Sequence, residues 1–153
     1  MKKIIFILLI TAFSYSQESK NYFVLLTSDP MVNPSSAMMS INTASEALNQ
    51  GHNVIYFVAG DGVKILMKDV IQNLHNVTFH GGNSSNLSKR MELMLNEFSA
   101  NGGIIHASEG SFLTYGVTQE NSSDILIDIL NLNWSYPKEL IELSSGADLI
   151  FSY

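Results

Sequence analysis

Apolar and polar positions along the chain form two kinds of run that take turns. Residues 22–27 (YFVLLT) and 53–59 (NVIYFVA) are short, almost unbroken apolar stretches rich in β-formers, the pattern of strands covered on both faces. Between them Ala37, Ile41, Ala44 and Leu48 recur at helical spacing with Ala47 beside them, which predicts a helix over 37–49 with one buried face. Asn33-Pro34-Ser35-Ser36 supplies turn and cap residues ahead of it, and Gln50-Gly51 closes it. Val63, Leu66, Met67, Val70 and Leu74 predict a second helix over 63–74. A short strand is then predicted at 77–80, ended by Gly81-Gly82. A helix capped by Asn86 or Ser88 follows, reaching Ala100 with Met91, Met94, Leu95 and Phe98 facing inward.

The stretch 102–117, GGIIHASEGSFLTYGV, reads as a buried strand over 103–107 that stops at Ser108-Glu109-Gly110 and enters a short helical segment closed by Gly116. Residues 124–132 (DILIDILNL) fit helix or strand equally well. Residues 138–144 form a clearer helix after Tyr136-Pro137, and 148–153 a closing strand. Alternating strands and helices predict a three-layer α/β/α domain around a mainly parallel sheet. In such a sheet, ligands gather outside the carboxyl ends of the strands. The loop led by Ser108 is therefore the first place to look for a site.

The opening residues belong to another pattern. Lys2 and Lys3 precede the apolar run 4–13, and Ser14-Tyr15-Ser16 offers small residues at the two positions a signal peptidase reads. An apolar run of about ten residues is short of the roughly 20 needed to span a bilayer. The simplest expectation is a cleaved signal over 1–16, export to the periplasm or medium, and a single domain over 17–153; an uncleaved anchor is the alternative. Charge adds an exclusion: a formal net charge of −6 and a pI near 5.0 disfavour nucleic acid and anionic membrane surfaces as partners. The chain has no cysteine, so disulfides, thiol chemistry and cysteine-metal sites are all excluded.

Candidate chemistry concentrates after the predicted strands. Ser108 is a nucleophile only if a base reaches it, and His106, two residues earlier on the same strand, points to the same face. No Gly-x-Ser-x-Gly elbow is present, so Ser108, like Ser111, reads equally as a helix cap. Asp29, Asp61 and Glu109 each follow a strand and can converge on one rim to bind a ligand beside Ser108 and Gly110; as local structure they are turn and cap residues. His52, His75, His80 and His106 share no ligand spacing, and Met91 and Met94 sit at core spacing beside the adjacent pair Met38 and Met39, so no metal site or cofactor is expected. Residues 81–85 (GGNSS) offer backbone N–H groups but lack the lysine of a phosphate loop. Trp134 and Tyr136 suit either a subunit contact or a cover for the sheet.

Two stretches resemble a known family. GHNVIYFVAGDGVKIL at 51–66 is similar to the Gly-His-x-Val strand and Asp-Gly-Val turn of the DsrE/DsrF-like family of small α/β proteins. GADLIF at 146–151 resembles that family's closing helix and Ala-Asp-hydrophobic strand. The resemblance runs over about 22–153 and implies the family's α/β fold and assembly as a trimer or hexamer. Better-known members relay sulfur as a persulfide on a cysteine in the loop after a late strand. On that correspondence Ser108 stands where the cysteine would, and Gly116 matches the family's glycine. A serine hydroxyl is neither acidic enough nor able to form the S–S bond. The expectation is thus an exported binding or interaction module, with a small anionic or sulfur-containing molecule as the candidate ligand. The alternative is an enzyme, either a sulfur-relay participant through a partner's thiol or a small hydrolase using Ser108 and His106.

Overall fold

The computed structural model describes residues 18–74 and 84–153. Its strands are β1 (Asn21–Leu26), β2 (Asn53–Val58), β3 (Ile104–Ser108), β4 (Asn133–Ser135) and β5 (Leu149–Ser152). They pair in the order β4-β3-β2-β1-β5, and every neighbouring pair is parallel. All five carboxyl ends therefore share one rim, where the connecting loops meet.

Val24, Leu26, Tyr56, Val58, Ile105 and Ala107 are fully buried on one face of the sheet, under α1 (Pro34–Asn49) and α3 (Ser84–Ala100). The expected inward residues of these helices, among them Ala37, Ile41, Ala44, Met91, Leu95 and Phe98, belong to this core. Asn33 caps α1 by accepting the Ser36 N–H at 3.1 Å, satisfying one of the donors a helix start leaves open. The Tyr56 hydroxyl lies in this core 2.9 Å from Ser40 Oγ. Ser40 spends its one proton on the Ala37 carbonyl at 2.7 Å, so Tyr56 is the donor to Ser40. Burial pushes the Tyr56 phenol far above its ordinary range, the Ser40 contact opposing it.

The opposite face carries Phe23 and Phe57, whose rings tilt together at 5.7 Å, and α6 (Pro137–Ser145). A hollow of about 360 Å³ lies between Glu142 and Leu143 of α6 and Asn53, Ile55 and Ile104 of the strands. Ile104, Ile141 and Ile150 remain exposed there, so this layer is thinner than the other.

Three elements differ from the sequence expectation. The helix over 63–74 is replaced by a 3₁₀ segment, Gly60–Leu66, and a single turn, α2 (Lys68–Ile71). Between them Met67 is extended and bridges Leu126, while the Ile127 N–H reaches the Leu66 carbonyl at 2.9 Å. Tertiary pairing has overridden helical periodicity here. Gly62 permits it, because a Cβ at that position would lie 2.3 Å from the Leu26 carbonyl oxygen. Residues 124–132 are neither continuous helix nor strand: α5 (Ser122–Ile125) is one turn, after which the chain takes up the Met67 bridge. The strand β4 had no expectation, and Trp134 within it packs on Phe112 at 5.0 Å, covering the sheet edge. The strand expected at 77–80 lies outside the described residues.

Candidate functional site

The carboxyl rim gathers the expected residues but divides them into two groups. In the first, Asp29 at the end of β1 accepts the Met31 N–H at 2.8 Å and pairs with Lys64 Nζ at 2.7 Å. Burial raises the Asp29 carboxyl, but the hydrogen bonds from Lys64 and Met31 and the Lys64 charge outweigh it and hold the group below the usual carboxylate range. Lys64 is raised in turn, chiefly by its bond to Asp29. Its ammonium also lies 4.8 Å from the centre of the Tyr115 ring, a cation–π distance. Tyr115 donates its hydroxyl to Asp61, a bond that raises the phenol's pKa. Asp29 and Asp61 are thus two ends of one chain running through Lys64 and Tyr115.

The second group surrounds the end of β3. Ser108 caps the short helix α4 (Glu109–Thr114), its Oγ accepting the Ser111 N–H at 3.3 Å. Ser111 Oγ accepts the Gly60 N–H at 2.8 Å, tying α4 to the loop after β2. Glu109 lies in the first turn, where the helix dipole favours an acid; it bonds the Tyr136 hydroxyl, which raises that phenol, and Gln119 Nε2 at 3.4 Å. Gly110 is exposed, with open space where a Cβ would be.

His106 shares a face of β3 with Ser108 but is not bonded to it. Its Nδ1 lies 2.7 Å from Ser135 Oγ on β4, and its ring stacks on Phe57 at 5.9 Å with planes 3° apart. Burial lowers its pKa, with Glu139 of α6 acting the other way. Glu139 itself is held low, first by the Tyr136 backbone N–H at 2.8 Å. The arrangement is an imidazole fixed between an aromatic ring and a buried hydroxyl. Among the described residues Ser108 has no base within hydrogen-bonding distance, so the expected Ser108–His106 pair is not formed.

No three His, Asp or Glu side chains gather as a metal group among the described residues; His75, His80 and 81–83 lie outside them. No helix among those residues is long and apolar enough to cross a membrane. Sequence reasoning missed Lys64, Tyr115, Ser135 and Glu139. Only the capping spacing of Tyr136 and Glu139 left a trace along the chain; the other contacts join residues far apart in sequence.

A family model described as the DsrE/DsrF-like family matches residues 20–153. The chain belongs to the DsrE/DsrF-like family. Sulfur-relay proteins are related to this family. Two solved structures share the fold. The ychN protein from E. coli superposes with a TM-score of 0.61 at 15% identity, covering 89% of this chain and 100% of its own. Protein MTH1491 from Methanobacterium thermoautotrophicum, titled as of unknown function, gives 0.58 at 12% identity, covering 88% and 99%. None of the curated proteins compared matches the chain. In this DsrE/DsrF-like protein, β3 carries a histidine held by its neighbour on β4 and ends in a capping serine followed by a glutamate bonded to Tyr136.

Proposed function

We propose that this DsrE/DsrF-like protein is an exported binding or interaction module in which Ser108 takes the place of the family's sulfur-carrying cysteine. The observation that carries the reading is the engagement of Ser108 and His106 with other partners: Ser108 Oγ holds the Ser111 N–H and His106 Nδ1 holds Ser135. A nucleophile needs a base within hydrogen-bond reach, and neither residue supplies one to the other. With no cysteine in the chain, the protein carries no persulfide of its own. Export rests on the basic, apolar and small-residue order of residues 1–16. The ligand class is a small sulfur-containing or anionic molecule at the rim by Ser108, Glu109, Gly110, Asp29 and Asp61. Self-association is part of the same reading, supported by the exposed Ile104 and Ile150 on the thinly covered face.

The test is a thermal-shift titration with thiosulfate, sulfite and sulfate, run beside a sulfur-transfer assay. A saturable rise in Tm without transfer is expected. Turnover that disappears in Ser108→Ala overturns the non-catalytic reading, and the absence of any shift overturns the ligand class.

A further inference from the structure

The strand β5 stands at one edge of the described sheet. Among the described residues it pairs on one side only, with β1. Within Leu149–Ser152 there is no charge and no proline, the common devices that stop an edge from pairing. Ile150 is 56% and Phe151 37% exposed.

Which backbone groups are open follows from the ladder. Tyr153 donates its N–H to the Leu25 carbonyl at 2.9 Å and accepts the Thr27 N–H at 2.9 Å, so both its main-chain groups face β1. Direction alternates along a strand; Phe151 therefore also faces β1, and Ile150 and Ser152 present their N–H and C=O outward. Unpaired groups of this kind are a template for another strand.

We propose that β5 pairs antiparallel with β5 of a second copy about a two-fold axis at Phe151. This deepens the self-association proposed above by naming its surface. In that register Ile150 stands opposite the partner's Ser152, and Ser152 opposite the partner's Ile150. These are the residues with outward groups, so every open N–H and C=O on both strands is paired. Phe151 meets its own copy in a non-hydrogen-bonded position, where Cα atoms approach to about 4.5 Å and side chains are closest. Its ring already stacks on Tyr22 at 6.1 Å and 5°, so the contact extends an aromatic row across the axis. The nearest charged side chain along the sequence, Asp148, falls outside the paired stretch. This self-complementarity favours a second copy over an unrelated extended peptide, and a two-fold contact of this kind is isologous.

The test uses light scattering over a range of concentrations on the purified protein and on Ser152→Pro. Proline at 152 removes an outward N–H and leaves the β1 ladder intact. The wild-type mass is expected at an even multiple of the monomer, and Ser152→Pro is expected to halve it with an unchanged circular dichroism spectrum. Because the chain has no cysteine, Phe151→Cys provides an independent readout: mild oxidation should give a covalent dimer, whereas Thr114→Cys, exposed on α4, should not. This variant decides the matter if Ser152→Pro fails to fold. An assembly unaffected by Ser152→Pro, or Phe151→Cys that stays monomeric on oxidation, overturns the β5 contact while leaving self-association standing. A wild-type monomer at every concentration overturns both.

Discussion

Replacing Ser108 with alanine separates a cap from a nucleophile. The Oγ acceptor serves one backbone donor, Ser111 N, at 3.3 Å, just beyond the usual N–H···O range. Loss of a cap costs about 0.5–2 kcal/mol, and so long a bond places this one in the lower half, about 0.5–1 kcal/mol. The rest of α4 holds it in place: Phe112 is fully buried, and Ser111 Oγ keeps the Gly60 N–H at 2.8 Å. For a chain of this size the loss corresponds to a fall in Tm of about 1–4 °C. Ser108→Asn restores an acceptor and should stay within about 0.5 kcal/mol of wild type. Urea denaturation of the three proteins measures the series. A loss above about 2 kcal/mol for alanine, or an asparagine variant no better than alanine, refutes the capping assignment.

Other expectations follow from neighbouring contacts. His106 has a folded pKa lowered by burial from 6.5, so below that pH the unfolded chain binds more protons and stability falls as pH drops toward the folded value; urea midpoints from pH 7.5 to 5.5 should show a slope that His106→Gln reduces. Asp29, held low in the fold, acts in a separate and more acidic window: its contribution is present above the ordinary carboxylate range and is lost as pH falls through its folded pKa. Tyr56→Phe removes the donor to Ser40 and should cost about 1 kcal/mol in urea. Gly62→Ala drives a Cβ into the Leu26 backbone, 2.3 Å from its oxygen; a loss of about 1–3 kcal/mol is expected by calorimetry, and a neutral result contradicts the close approach.

The sheet was legible because its central strands are apolar on both faces and its long helices keep a 3.6-residue rhythm. Residues 22–27, 53–59 and 37–49 fall within a few positions of β1, β2 and α1. The segment 63–74 misled for a physical reason: its spacing is helical, but Met67 satisfies its backbone against Leu126, a residue 59 positions away that no local pattern announces. At the rim, strand order put Asp29, Asp61 and Ser108 together, yet their partners were hidden. Lys64 looks like any dispersed lysine until the fold sets it between Asp29 and Tyr115. Ser135, which takes His106 from Ser108, lies on a three-residue strand too short to leave a periodic signal.

On the function proposed above, the loop after β3 stands where the family's site does and lacks only its reacting atom. Ser108→Cys tests it most directly. Wild type and variant are exposed to a persulfide donor, and their intact masses are compared before and after reduction. One reducible sulfur is expected on Ser108→Cys and none on wild type. A folded Ser108→Cys protein that takes up no sulfur, or a wild-type protein that does, contradicts it.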